Sequence, residues 1–323
     1  MNLSIIFVNW NSTGYLRECI ASIYEFTHEI SFEIIIVDNA STVRDFDLLA
    51  EYFPSVTIVK SLRNLGFARA NNLGFRHSSG DCLLFLNPDT KLVAPAINVM
   101  LERLQSLPNA GVVGCKHLNP DLSLQTSCIQ RFPTILNQLI DIEYFRLRSP
   151  NSRLWGIGPL FSNNPLPTQV EAISGACMML KRGVFEKAGM FSEDYFMYAE
   201  DLDLCYKVVR SGFGNYYVGE TSLIHYGGVS SGQHKVNQWA TIMKFKAVQH
   251  FCVKTRGRMY GFMYKVAMGC NALGRLLLIA LLLPFPGIWR HKRNLSATSS
   301  KWNAVLKWAL GWDKGALEAA ENY

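Results

Sequence analysis

Short apolar runs alternate with amphipathic stretches through the first half of the chain. Residues 3–8, 32–37, 56–59 and 83–86 are largely apolar, the pattern of strands buried on both faces. Between them lie stretches of helical spacing at 13–26, 44–52 and 67–78; in the first, Leu16, Cys19, Ile20 and Ile23 fall on one side, and Asn11 or Ser12 can cap it. This strand–helix alternation predicts a parallel sheet with right-handed crossovers. Further on, the pattern predicts an amphipathic helix over 95–107 and a strand over 112–114. It also predicts two strand segments within 169–180, broken at Ser174-Gly175, and a helix in the second half of 191–210. Gly175 marks either a bulge or a close approach of the backbone to a ligand. Residues 118–168 are rich in Pro, Asn and Ser and poor in pattern. That is long for a structureless loop, so a partly helical insertion covering the site is expected.

The apolar runs end in polar clusters: Asn9/Asn11, Asp38/Asn39 and Asn87/Asp89. Pro88 cannot donate to a sheet ladder and marks the end of its strand. Parallel strands align such ends along one edge, where open α/β sheets bind ligands. One cluster alone is an ordinary turn; three that converge describe a crevice for a polar ligand. Asp38, ending the second strand, can accept from a ring N–H or a ribose hydroxyl. The glycine fingerprint G-x-G-x-x-G is missing after the first strand, which argues against NAD and FAD.

Glu200, Asp201 and Asp203 fall in the first turn of the expected helix, beside Phe196, Tyr198 and Tyr206. Carboxylates there favour the helix dipole. An aromatic-walled acidic cluster also suits a general base, because desolvation raises a carboxylate's pKa. His225 is followed by two glycines and two serines, a loop flexible enough to close over phosphates.

Charge divides the 323 residues unevenly. Residues 1–250 hold 21 Lys+Arg against 22 Asp+Glu; residues 251–323 hold 11 against 3. The tail is therefore basic, and it also carries the longest apolar stretch, with an unbroken run over 276–283. That run is shorter than the roughly 20 residues a membrane span needs. Flanking Arg256, Arg258, Lys265, Arg290, Lys292 and Arg293 can meet lipid headgroups. An amphipathic or re-entrant anchor is the first expectation, a helical pair at a subunit interface the second, a single span the third. No nucleic-acid-binding signature occurs. The eight cysteines are scattered without a C-x-x-C pair, and read as small buried hydrophobes in a reducing compartment.

Seven segments, in order, resemble the family 2 glycosyltransferases, specifically the rhamnosyltransferase-like branch. They are Val8-Asn9-Trp10-Asn11-Ser12, Val37-Asp38-Asn39-Ala40-Ser41, the run from Asn64 to Gly74, Asn87-Pro88-Asp89, the run from Ser174 to Leu180, Glu200-Asp201-Leu202-Asp203-Leu204, and His225-Tyr226-Gly227-Gly228. The resemblance covers roughly residues 1–235. It implies a GT-A (Rossmann-like) α/β fold over 1–250, with 251–323 as a helical membrane-associating or oligomerising tail. It implies inverting transfer from a nucleotide-diphosphate sugar, dTDP-L-rhamnose first among donors, to a polyprenyl-diphosphate-linked saccharide. Val8, Asn9, Asn11 and Asp38 would hold base and ribose; Asn64, Phe67 and Asn71 would continue that pocket; Gly175 and Ala176 would lie beside the donor sugar. Asp89 and His225 would bind Mn²⁺ or Mg²⁺. Asn87 stands where the family's Asp-x-Asp signature begins, and would contact either metal or ribose. Asp201 would be the base, with Glu200 beside it. The expected location is the cytoplasmic face of the plasma membrane, with no nucleic-acid partner and a possible homo-oligomer through the tail. The competing expectations are a catalytically silent nucleotide-sugar-binding or scaffolding protein of the same fold, and a transferase for another hexose.

Overall fold

A computed structural model describes residues 2–42, 46–140, 143–162, 166–227, 238–282 and 292–313. The elements run β1 Leu3–Asn9, α1 Thr13–Phe26, β2 Phe32–Asp38, α2 Asp47–Tyr52, β3 Thr57–Lys60, α3 Gly66–Arg76, β4 Cys82–Leu86, β5 Thr90–Leu92 and α4 Ala96–Ser106. They continue with β6 Ala110–Leu118, β7 Ile129–Gln130, α5 Ile135–Leu139, α6 Glu143–Arg148, β8 Thr168–Val170, β9 Ala172–Ile173, β10 Cys177–Lys181, α7 Arg182–Lys187, α8 Glu200–Arg210 and β11 Gly214–His225. Helices α9 Gln238–Arg256, α10 Arg258–Leu282 and α11 Lys292–Ala309 follow.

The main sheet has the order β3-β2-β1-β4-β10-β6-β11-β5, with β8 alongside β11. Strands β1 to β4 are mutually parallel, as their apolar runs predict. Leu83, Leu84 and Phe85 of β4 are fully buried, so this strand sits inside the molecule, covered on both faces. The alternation then breaks. β10 runs antiparallel to both β4 and β6, and β5 antiparallel to β11. The two segments expected within 169–180 are three: β8 joins β11, β9 pairs with β7 in a separate two-stranded ribbon, and β10 enters the sheet. Strand β11 is 12 residues long, although its sequence mixes Tyr, Thr, Ser and Gly with few aliphatics.

The reversal of β10 positions the site. Its first residues lie at the edge where β4 ends: Cys177 stands opposite Leu86, and Asn87 N donates to Ala176 O at 2.9 Å. Because β6 and β11 run parallel to each other and β6 opposes β10, their carboxyl ends reach the same rim. Asn9, Asp38, Asn87, Asp89, Gly175, Ala176 and His225 thus come to one edge of one sheet from distant stretches of the chain.

Two compact units are distinguished: Met1–Phe132 with Glu143–Ser230, and Pro133–Ile142 with Ser231–Tyr323. The first is the α/β unit. The second packs α5, α9, α10 and α11 around their own core of Tyr264, Met268, Trp302, Val305 and Trp308. A boundary at 250 falls inside α9, whose Ile242, Val248 and Cys252 belong to that helical core. Charge composition changes at 250; packing changes earlier. The described part of the run over 276–283, residues 276–282, is the end of a 25-residue helix, since Gly269, Asn271 and Gly274 do not interrupt α10. Among the described residues one helix, Arg258–Leu281, is long and apolar enough to cross a membrane. Residues 228–237 and 283–291 lie outside the described residues, and with them Gly228, Ser230 and Ser231 of the phosphate-loop expectation and Arg290 of the basic flank.

Candidate active site

Asp89 follows β4, and β5 then turns back against β11, setting Thr90 opposite His225. The two backbones are joined where Tyr226 N donates to Asp89 O at 2.9 Å. This pairing brings His225 Nε2 to 3.4 Å from Asp89 Oδ1, with both side chains nearly buried. The other ring nitrogen, Nδ1, lies 2.7 Å from Gln125 Oε1. The amide of Gln125 is oriented by its own bonds, since its Nε2 donates to Asn119 Oδ1 at 3.1 Å and to His225 O at 3.3 Å. Its oxygen therefore faces the ring, and Nδ1 must be the donor. In the neutral ring Nε2 is then left with a lone pair aimed at a carboxylate. A charge-assisted hydrogen bond would close to about 2.7–2.9 Å, and the observed gap is wider. Nε2 is buried and has no hydrogen-bond partner. Two buried acceptors facing each other are unfavourable until something positive lies between them. An oxygen and an imidazole nitrogen suit a divalent cation, with the imidazole favouring Mn²⁺ over Mg²⁺, so the residues present fit the expected metal.

The acidic cluster sorts into three roles. Asp203 is buried and fully engaged: Ser192 Oγ donates to it at 2.6 Å, Tyr195 Oη at 3.4 Å, and Lys207 Nζ lies 3.4 Å away. Asp201 accepts from Gly175 N at 2.9 Å, from Leu202 N at 2.8 Å and from Gln130 Nε2 at 3.4 Å. Burial pushes its carboxyl above the usual range, while the Gly175 and Leu202 amides and the Gln130 side chain favour its charged form. Glu200 has an oxygen, Oε2, that is buried and without a partner. Burial first, and the neighbouring Asp201 charge second, push it up to about 8. Of the two neighbours, Glu200 is the one that holds its proton into neutral pH. A Cβ at Gly175 would lie 3.3 Å from Asp201 Cβ, so a side chain there would require Asp201 to give way by a few tenths of an ångström. The close approach expected at Gly175 is therefore to the chain's own carboxylate.

The turn into α8 is bent by two consecutive non-glycine residues in the left-handed region, Tyr198 (φ 72°) and Ala199 (φ 61°). Such residues cost on the order of 1–3 kcal/mol each and persist where surrounding contacts hold them. Here the contacts come from α3. Phe67 N donates to Phe196 O at 2.9 Å, and Gly66 (φ 76°) lies so close that a Cβ would strike that same carbonyl. Asn72 grips Phe191 from both sides, donating to its carbonyl at 2.9 Å and accepting from its N–H at 3.2 Å.

At the ends of β1 and β2, Asn9 and Asp38 are side by side. Asn9 Nδ2 donates to Ser41 Oγ at 3.1 Å, while its Oδ1 is buried and unpartnered. Val8 is half-buried one residue before. Asn11 (φ 53°) accepts from Thr42 N at 2.8 Å and joins the two loops. Asn64 accepts from Asn39 Nδ2 at 2.8 Å and from Gly66 N at 2.9 Å, ordering the entry to α3. Asn71 is buried and donates back to Phe67 O at 3.0 Å, and Phe67 sets its ring edge-on to Phe191. Asn11, Asn64 and Asn71 thus tie these loops and the start of α3 together, and Asn9 keeps one buried acceptor without a partner. Asn87 and Ala176 are joined through the backbone beside them.

Sequence reading did not single out Gln125 or Gln130, which lie in the pattern-poor insertion, nor Asn39 and Asn72 as supports. It also found no metal-ligand spacing among the cysteines. The fold does bring Cys115, Cys177 and His117 within 4.8 Å of one another, all buried. A hydrogen bond with Cys177, then burial, push the Cys115 thiol up, and burial pushes the His117 ring down to about 3, so both are neutral, and Cys115 and Cys177 pack in the apolar core.

Comparison with known proteins agrees with this geometry. An N-acetylglucosaminyl-diphospho-decaprenol L-rhamnosyltransferase of Mycobacterium tuberculosis is 25% identical over 261 residues, covering 74% of this chain and 80% of that protein. Rhamnosyltransferase WbbL of Escherichia coli is 21% identical over 231 residues, covering 69% and 82%. Among solved structures, the mannosyltransferase PcManGT of Pyrobaculum calidifontis in complex with GDP-Man and Mn²⁺ superposes with a TM-score of 0.57. The identity is 17%, over 97% of this chain and 88% of that one, and the likeness is one of fold. The model of glycosyl transferase family 2 matches residues 4–189, more than half of the sequence and the rim residues from Asn9 to Ala176; this chain belongs to that family.

Proposed function

We propose that this protein is a metal-dependent, inverting glycosyltransferase that moves a hexose, L-rhamnose from dTDP-rhamnose in the first instance, onto a lipid-linked saccharide. The observation that carries the reading is the pair of facing acceptors, Asp89 and His225, on the rim that also holds Asp201. The backbone bond from Asn87 to Ala176, and the next one from Gly175 to Asp201, tie the two halves together.

Asp89 and His225 would hold a divalent cation, which when bound acts as a Lewis acid on the diphosphate leaving group. Asn9 Oδ1, an unpartnered acceptor, suits an imide N–H of a pyrimidine base, and Asp38 beside it suits a ribose hydroxyl. Asp201, whose carboxylate accepts from the Gly175 and Leu202 amides, takes the proton of the acceptor hydroxyl, a contribution of about 10²–10⁴ in rate. Single displacement is supported because the neighbouring acids are unsuited to serve as nucleophiles: Glu200 is mainly protonated and Asp203 is engaged by Ser192, Tyr195 and Lys207. The names of both relatives support rhamnose, and that of the Mycobacterium tuberculosis protein supports a lipid diphosphate acceptor. The basic, apolar helical unit supports action at the cytoplasmic leaflet of the plasma membrane, where such an acceptor resides.

Purified protein given dTDP-rhamnose, Mn²⁺ and a polyprenyl-diphosphate saccharide should release dTDP and glycosylate the lipid, with inverted anomeric configuration by NMR. A chelator should abolish turnover, and Asp201→Asn should lower kcat by about 10²–10⁴ with donor affinity kept. The reading is wrong if Asp201→Asn equals wild type, or if no nucleotide sugar is consumed across a panel of donors.

A further inference from the structure

The insertion contributes one short segment, Gln125 to Gln130, that touches both halves of the site. Gln125 begins it, a 3₁₀ turn over Thr126–Cys128 follows, and β7 ends it at Gln130. Its placement is fixed at both ends by backbone. Gln125 N donates to His117 O at 2.9 Å, Ser174 N donates to Cys128 O at 3.0 Å, and β7 pairs with β9. From this strut the two glutamine side chains diverge. Gln125 Oε1 meets His225 Nδ1 at 2.7 Å, and Gln130 Nε2 meets Asp201 Oδ2 at 3.4 Å.

We infer that this strut sets the two functional side chains separately: Gln125 is the positioning residue of the metal half, and Gln130 that of the base half. For Gln125 the ground is atom identity. A histidine can ligate a cation through only one nitrogen while the other donates, and the partner of the donor decides which. The Gln125 amide cannot turn over without losing its bonds to Asn119 Oδ1 and His225 O. It therefore selects the Nδ1–H tautomer and leaves the Nε2 lone pair on the side of Asp89. Without that acceptor the ring is free to take the other tautomer, which would donate to Asp89 and close the space between them. Gln130 instead donates to the carboxylate that Gly175 also holds. A residue that merely filled space in the insertion would have no reason to present an oxygen to one partner and an N–H to the other.

The inference rests on the metal reading above, and the experiment separates the two. Mn²⁺ binding to the full chain is measured by EPR of the free ion, without nucleotide, for wild type, Asp89→Asn, Gln125→Leu, Gln125→Glu and Gln130→Leu. The His225 tautomer is read from its ¹⁵N shifts. Wild type should bind one Mn²⁺ and Asp89→Asn should not; if wild type binds none, the metal reading itself fails. Given binding by wild type, Gln125→Leu should weaken it about 10–100-fold and shift His225 towards the Nε2–H form. Gln125→Glu, which keeps an acceptor in place, should restore affinity and tautomer. Gln130→Leu should leave Mn²⁺ affinity within about twofold of wild type while lowering kcat, since it lacks a bond to the metal half. Unchanged affinity and tautomer in Gln125→Leu, or equal loss of Mn²⁺ in both leucine variants, would overturn the inference while leaving the metal reading intact.

Discussion

At the scale of single residues, the adjacent acids Glu200 and Asp201 differ because their neighbours differ. Asp201 receives backbone N–H groups; Glu200 receives none at Oε2. Glu200 therefore holds its proton up to about pH 8. A carboxyl whose pKa is raised in the folded state favours folding fully below its unfolded value, near 4.5, and loses that contribution as pH rises through 8. Glu200→Gln, the same shape without the charge, should flatten this loss. We expect it to be more stable than wild type at about pH 9 by a few kcal/mol, on the order of 1.4 kcal/mol for each pH unit separating the folded and unfolded titrations, and little changed at about pH 5; urea denaturation at both values checks this. Asp201 is also raised, so the acid limb of kcat/KM should lie above the ordinary carboxylate range, with activity lost as pH falls through it. The three acids at 200, 201 and 203 were legible in the sequence as a cluster. Their division was not, because it depends on the amide of the distant Gly175, which spacing does not display; only the Asp203–Lys207 pair, at i and i+4, was there to be read.

At the scale of elements, α3 and the segment before α8 hold each other. The φ of 76° at Gly66 and its contact with the Phe196 carbonyl leave no room for a side chain. Gly66→Ala should cost about 1–2 kcal/mol for backbone conformation alone, and more for the displaced carbonyl. Because the bend at Tyr198 and Ala199 is braced there, kcat should fall along with the midpoint of thermal unfolding. A variant that lost stability but kept kcat would show that the bend stands without α3. The strands of the parallel half were legible because burial on both faces writes itself as unbroken aliphatic runs. β11 was not, since a half-covered strand of Tyr, Thr and Ser carries no such run. The reversal of β10 was invisible for another reason: strand direction is decided by connection, not by composition.

At the scale of the whole molecule, the helical unit presents an apolar surface. Met259, Phe262, Val266, Leu273, Leu277 and Leu281 recur at helical spacing along α10, each about half exposed or more. The opposite side of that helix buries Tyr264, Met268 and Ala272 against Trp308. Stripes of this kind, in a unit rich in Lys and Arg, suit an anionic bilayer. Leu277→Asp with Leu281→Asp should reduce co-sedimentation with vesicles containing phosphatidylglycerol, while turnover of a water-soluble acceptor persists. Retained vesicle binding would remove α10 from the anchor, and a change of oligomeric state on gel filtration would assign the stripe to a subunit interface. Trp308→Ala, in contrast, should destabilise the helical core by about 3–5 kcal/mol, measured by chemical denaturation.

One consequence follows from the backward course of β10. Because its opening residues share a rim with the closing residues of β4, the stretch that bears Asp89 and the Gly175 amide that supports Asp201 are laced together by an amide-to-carbonyl link between positions 87 and 176. Grafting this chemistry onto another scaffold would therefore require transplanting both strands as one antiparallel couple. A loop carrying Asp89 alone would arrive without the register that places everything else.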